Sequence, residues 1–223
     1  MKETARETAQ FIAGLAGHRE GTSLKDKIYF EIFRSIISGE LGSSIISEKA
    51  LVEKYNVSRA PVREALVQLC GEGVLQSMPR YGYQVVQLSK SDIEDILRFR
   101  VVLEGGSFKE HVHDITDEQI KELEKIDKLC TEMQEDFWKH WAYNVQFHLT
   151  LMSFCGNKFS YEMLEKSMQT LTRAYAQFYW DRWNKTEFPK DTKFHTGIIN
   201  CLKKKDTEGA IHFLKEDISD FGR

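Results

Sequence analysis

The chain has 223 residues, 41% of them hydrophobic and 29% charged, with a formal charge of −3. That is enough for one large globular domain or two small ones. The charge argues against a protein that coats nucleic acid, and no apolar run approaches the ~20 residues of a membrane span. The four cysteines, Cys70, Cys130, Cys155 and Cys201, are scattered with no C-x-x-C. They read as free thiols of a reducing cytoplasm, not as a disulfide frame or a cysteine zinc site. Charge is uneven along the chain. Residues 22–90 hold nine Lys/Arg against seven Asp/Glu, and residues 91–223 hold 19 against 24. A mildly basic front of this kind suits a sequence-specific dimer better than non-specific binding.

Residues 1–21 read as a loosely ordered polar tail. They carry Glu3, Arg6 and Glu7 without an uninterrupted apolar core, so they do not read as a secretory signal. Leu24, Ile28, Ile32 and Ile36 recur every four residues and mark a first helix, which Gly39 stops. Ser44-Ile45-Ile46 is a short extended piece. Ser47 caps a second helix, Glu48 to Tyr55, with Ala50, Leu51 and Tyr55 facing inward, and Asn56 ends it.

The stretch Asn56-Val57-Ser58-Arg59-Ala60-Pro61-Val62-Arg63-Glu64-Ala65-Leu66 follows. Ser58 can cap a helix by accepting from its first free amides, and Pro61 sits in the first turn, where a missing N–H costs nothing. Arg59 and Arg63, four apart, project from one face, while Val62, Leu66 and Leu69 form the opposite apolar one. A basic-headed helix with an apolar back suits a DNA major groove, although a solvated amphipathic helix has the same pattern. Val74 to Met78, a turn at Pro79-Arg80-Tyr81-Gly82, and Tyr83 to Leu88 form a hairpin. Three helices and a terminal hairpin make a winged helix-turn-helix over residues 22–89, with Arg80 and Tyr81 at the hairpin tip.

This front resembles the DNA-binding domain of GntR-family bacterial transcription regulators. The resemblance is carried by Ser47-Glu48-Lys49-Ala50-Leu51, by the V-S-R-x-P-V-R-E-A-L run of residues 57–66, and by Glu72-Gly73-Val74-Leu75 with the Arg80-Tyr81-Gly82 turn. Where the family usually has Pro-Gly before the extended piece, this chain has Ser43-Ser44. The resemblance implies that Lys49, Ser58, Arg59, Ala60, Pro61 and Arg63, with Arg80, Tyr81 and Gly82 of the wing, form the DNA-binding surface. An arginine can pair bidentately with guanine, whereas Lys49 suits a phosphate.

Residues 90–223 read as all-helical. Ser91-Asp92-Ile93-Glu94 is a capping box, with no Gly/Pro linker before it, and Thr116-Asp117-Glu118-Gln119 is another. Apolar spacing marks further helices. The first carries Ile120, Leu123, Ile126 or Asp127, Cys130 and Met133. Others run from Phe137 to Met152, from Tyr161 to Phe178, from His195 to Leu202 and from Ala210 to Phe221. The fold class is therefore mainly α, a winged helix-turn-helix followed by a helical bundle. Three polar groups, His148, His195 and Asp217, lie on the apolar stripes, with Asn144 one turn before His148. Buried charge and imidazole are costly unless paired or metal-bound. A metal site, a His–Asp hydrogen bond and a satisfied core histidine each account for the three groups.

The back resembles the FCD effector-binding domain of the FadR subfamily of GntR regulators. Arg100-Val101-Val102-Leu103-Glu104, Asn144 to His148 within Phe147-His148-Leu149-Thr150-Leu151, Cys155-Gly156-Asn157 and Phe194-His195-Thr196-Gly197 carry that resemblance. It implies a divalent-metal site at Asn144, His148, His195 and Asp217. Asn144 stands where the family has Asp and Asp217 where it has His, so one carboxylate has moved between helices. Two imidazoles and a carboxylate suit Zn²⁺, Ni²⁺ or Mn²⁺. The resemblance also implies a small organic acid as effector. Arg100 could fork its carboxylate or instead pair with Glu104, and Tyr175, Tyr179 and Trp180 are candidate walls of the pocket. Arg173 lies off the apolar stripe and reads as solvated.

The reading is a cytoplasmic regulator, not an enzyme and not membrane-bound. It would bind an inverted-repeat operator in double-stranded DNA as a homodimer and act as a repressor under a small-molecule effector. A metal-free pocket or a pure dimerisation bundle is the alternative. A metal-dependent hydrolase using His148, His195 and Asp217 is a remote one, since the chain has no H-E-x-x-H and no nucleophile elbow.

Overall fold

A computed structural model describes residues 23–41, 45–132, 137–183 and 193–221; the side chains of 137–138, 179–183 and 193 lie outside the description. The chain forms two compact units, Met1–Leu88 and Ser89–Arg223.

In the first unit, α1 (Leu24–Ile37), α2 (Glu48–Tyr55) and α3 (Arg59–Gly71) precede strands β1 (Leu75–Met78) and β2 (Gly82–Val85). Helix α1 starts at Ser23, whose hydroxyl accepts from the amide of Asp26. Its buried stripe is Ile28, Tyr29, Ile32, Phe33 and Ile37. Leu24, expected on that stripe, is half exposed in the first turn of the helix. Ser47 caps α2, and Asn56 ends it in the left-handed conformation that asparagine tolerates. Leu51 is the buried anchor of α2; Ala50, expected inward, is exposed. Val62, Ala65, Leu66 and Leu69 of α3 are fully buried against α1 and β1. Val62, Leu66 and Leu69 each contribute ~1.5–3 kcal/mol by leaving water, the Ala65 methyl less. The hairpin pairs Leu75 with Val85 and Met78 with Gly82, and Ile46 adds a third-strand bridge to Tyr83.

The second unit holds α4 (Lys90–His111), α5 (Asp117–Glu132), α6 (Phe137–Phe154), α7 (Lys158–Trp183), α8 (Lys193–Lys203) and α9 (Thr207–Ser219). The box that opens α4 is Ser89 with Asp92, not Ser91 with Glu94. Ser89 is extended, and its amide and hydroxyl both bond the Asp92 carboxylate, so the helix has begun before Ser91. The Thr116–Gln119 box forms as expected, each residue's backbone amide donating to the other's side chain.

Helix α9 packs along α8 and α4, α5 along α6 and α8, and α7 along α4 and α6. Phe108, Leu123, Phe147, Ile198, Leu202 and Leu214 centre the core. The approach of α8 to α9 is close. A β-carbon on Gly197 would stand 2.6 Å from the ring of Phe213, so only glycine lets the two axes come this near. That contact lies two residues beyond His195 and one turn before Asp217. Among the described residues no helix is long and apolar enough to cross a membrane.

Candidate functional site

The first unit presents a two-helix corner with a wing. The left-handed turn at Asn56 brings α3 round after α2, and Ser58 takes the extended N-cap position. The Ser58 hydroxyl makes no capping bond, although its position in the chain is the one expected. Ser58, Arg59 and Ala60 are exposed at the head of α3. Pro61 is buried, which suits a shaper of the first turn better than a contact. Arg63 is exposed but engaged by Glu48 of α2: Nε donates to Oε2 at 3.2 Å and Nη2 to Oε1 at 3.1 Å. Lys49 is exposed beside Glu53, 3.8 Å away, a spacing that contributes little in water.

At the wing tip Arg80 has φ +71°, and Tyr81 is 72% exposed. Gly82 has φ +131°, and a β-carbon there would meet the carbonyl of Ile46 at 2.4 Å. Its role in the wing is therefore to let the hairpin close against the extended piece.

The second unit brings His148 (α6), His195 (α8) and Asp217 (α9) to one centre, with ligand atoms within 4.8 Å of one another and all three residues buried. Behind them runs a chain of charge. Arg100 Nε donates to Glu104 Oε1 at 2.7 Å, with both side chains 3% exposed. The i+4 ion pair, not a free fork, is thus the state of that edge of Arg100. His148 donates from Nδ1 to Glu104 Oε2 and from Nε2 to Asp217 Oδ2, each at 2.7 Å.

Burial and the Arg100 charge oppose charging His148, yet Glu104, helped by Asp217, outweighs them and lifts the imidazole above its ordinary value. Burial likewise pushes the two carboxyls up. Arg100 and His148 pull Glu104 below its ordinary value, and His195 and His148 do the same for Asp217. His195 Nε2 lies 3.5 Å from Asp217 Oδ1 and 3.4 Å from the amide nitrogen of Asn144. Its ring stacks on Phe147, centroids 3.8 Å apart and 11° from parallel. Arg100 Nη2 is buried with no hydrogen-bond partner among the described residues.

These residues fit a divalent cation. Two nitrogen donors and one carboxylate suit Zn²⁺, Ni²⁺ and Mn²⁺, and a carboxylate behind a ligating histidine is the usual second layer of such sites. Glu104 supplies that layer for His148.

Other expected residues fall elsewhere. Tyr175 is buried in an aromatic cluster, its ring 4.3 Å from Trp141 and 4.2 Å from Phe221, and Trp141 Nε1 donates to Thr172 at 2.9 Å. The side chains of Tyr179 and Trp180 lie outside the described residues. Arg173 is buried, not solvated, because α7 is covered on more than the one stripe its apolar residues mark.

Sequence reasoning missed Glu48 and Asp127 as participants and saw Glu104 only as a partner of Arg100. Glu48 and Arg63 are 15 residues apart with no shared motif. The α5 spacing left Ile126 and Asp127 as alternatives for the inner stripe. The structure buries Ile126 and turns Asp127 toward His195, Oδ1 to Nδ1 3.4 Å.

Comparison with known proteins bears on both units. The model of the gntR family of bacterial regulatory proteins matches residues 24–85, and the FCD domain model matches residues 95–220. The gluconate operon transcriptional repressor of Bacillus licheniformis is 35% identical over 200 residues, 87% of this chain and 82% of its own. The HTH-type transcriptional regulator McbR of Escherichia coli is 27% identical over 177 residues, 78% of this chain and 79% of its own. The solved structure of E. coli McbR/YncC superimposes with a TM-score of 0.72 at 23% identity, over 89% of this chain and 95% of that one, a likeness of fold.

Proposed function

This chain belongs to the GntR family of bacterial regulatory proteins and carries an FCD domain, and from that premise we propose that it is a homodimeric repressor released from its operator by a small organic acid. It is a DNA-binding transcriptional regulator and not an enzyme, which removes the hydrolase reading. The finer statements are ours. Two copies, in the cytoplasm, set two α3 helices on the half-sites of an inverted repeat in double-stranded DNA. Arg59 and Arg63 read base edges, Lys49 and Ser58 hold phosphates, and Arg80 and Tyr81 reach the adjoining groove. The relatives named as repressors, such as that of the gluconate operon, support the sign of the response.

The observation that carries the effector half is Arg100. A buried guanidinium nitrogen without a partner costs several kcal/mol in an apolar core, and a carboxylate is the group that satisfies it. His148 and His195 through nitrogen and Asp217 through oxygen would hold a divalent cation beside it. Asn144 would add a neutral oxygen. Such a cation supplies a Lewis-acidic point for the carboxylate of the effector.

One observation favours a second reading, the same regulator with a metal-free pocket: the 2.7 Å bond between His148 and Asp217 satisfies both groups by themselves. In either case the ligand acts only through unequal affinity for the DNA-competent and incompetent arrangements.

The test is genomic footprinting to find the operator, then gel shift of that duplex with a panel of organic acids. The expected result is a specific complex that one acid class dissolves, and that Arg100→Lys, which keeps the charge beside Glu104 but loses the fork, renders unresponsive while DNA affinity stays. A chain that binds no genomic site overturns the proposal.

A further inference from the structure

Two unsettled atoms meet at the outer edge of His195. Its Nδ1 and Oδ1 of Asp127 are both buried with no hydrogen-bond partner among the described residues. The two lie 3.4 Å apart, with His195 fully enclosed and the Asp127 side chain 14% exposed. The second oxygen of Asp127 is not idle, since the hydroxyl of Thr196, the next residue along α8, donates to Oδ2 at 3.2 Å. Asp127 is therefore anchored from α8 itself and aimed at the ring that α8 presents. Stacking on Phe147 fixes the plane of that ring but leaves it free to flip within the plane, which would exchange its nitrogen and carbon edges. At the other edge the amide nitrogen of Asn144 faces Nε2 at 3.4 Å, and Asp217 Oδ1 lies 3.5 Å from the same Nε2. An amide N–H can only donate, so the Asn144 contact pairs with Nε2 as acceptor and the ring proton on Nδ1.

We infer that Asp127 is the positioning residue of this site: it accepts the Nδ1 proton of His195, selects one ring orientation and one tautomer, and so turns the Nε2 lone pair toward the amide of Asn144. Glu104 bonds the Nδ1 of His148 at 2.7 Å, so each imidazole has a carboxylate at its back. The two carboxylates come from different helices, α4 and α5, so α5 joins the site although it supplies no ligand. The consequence for a metal rests on the proposed ligand site; the tautomer does not.

The experiment uses the full chain with nitrogen-labelled histidine. Imidazole proton–nitrogen correlations report the tautomer of His195, assigned by the signal lost in His195→Gln. Competition with a chromogenic chelator reports Zn²⁺ affinity on the same samples. The wild type is expected to show the Nδ1–H form alone. Asp127→Ala should populate the Nε2–H form and weaken Zn²⁺ about ten-fold. Asp127→Asn, which keeps an acceptor oxygen, should restore most of both, a rescue that a merely structural role would not give. Asp127→Leu, near in size and favourable in a helix, repeats the test if the alanine variant fails to fold. An unchanged tautomer in the alanine or leucine variant overturns the assignment. A wild type that takes up no Zn²⁺ overturns the metal clause of the proposed function, while the tautomer still decides the role of Asp127.

Discussion

Arg63 illustrates how little holds a surface cation and how much a base edge can offer it. Its bond to Glu48 is bidentate but exposed, and exposed pairs contribute ~1 kcal/mol or less. A guanine edge read by the same fork discriminates by ~1–3 kcal/mol. The guanidinium can therefore leave Glu48 when DNA arrives, and until then Glu48 keeps it at the head of α3. Arg59→Ala and Arg63→Ala are each expected to weaken operator binding by ~1–3 kcal/mol without lowering the melting temperature. Quantitative gel shift beside thermal denaturation checks this, and unchanged affinity in both variants would remove α3 from the groove. The buried charges behave differently. Arg100, Glu104, His148 and Asp217 are sealed from water, so each depends on the next, and removing one leaves an uncompensated charge inside.

At the scale of elements, the site depends on how closely α8 lies on α9. Gly197 sets that distance, since any side chain there must push the ring of Phe213 aside. Gly197→Ala is expected to cost ~1–3 kcal/mol, as overpacking does. Gly105, in the middle of α4, has nothing within 4 Å of its missing β-carbon, and Gly105→Ala should stabilise by ~0.5–1 kcal/mol through helix propensity alone. Urea denaturation of the two variants should move in opposite directions. A Gly197→Ala protein as stable as the wild type would mean that α8 can shift cheaply and that its approach to α9 does not fix His195 against Asp217.

At the scale of the molecule, the proposed dimer makes a geometric demand. Two recognition helices reach one face of the duplex only if the half-site centres lie about one helical turn apart, or a whole multiple of it. Inserting roughly half a turn, about 5 base pairs, between the half-sites should abolish tight binding, and roughly a full turn should restore part of it. Gel shift on the three spacings tests this. Equal affinity for all of them would mean that each copy binds alone, and the homodimer on an inverted repeat would fall. The two compact units also divide the labour: basic side chains stand exposed in the front, and the back buries Arg100, Glu104, His148, His195 and Asp217 in a helical core.

The local pattern of this chain determined its helices, the hairpin and the Thr116–Gln119 box, each from residue periodicity or from caps a few positions apart. Periodicity put His148, His195 and Asp217 on apolar stripes, and the family resemblance implied that they meet. The family, too, was legible in the residues of α3 and around His148. The tertiary structure decided who partners whom: Glu48 with Arg63, Glu104 between Arg100 and His148, Asp127 beside His195, and the burial of Arg173. The reason is physical. A helical period says which face is apolar, but at its margin Ile126 and Asp127 are equivalent until α8 packs there, and a carboxylate finds its cation through contacts between helices that no spacing along the chain records.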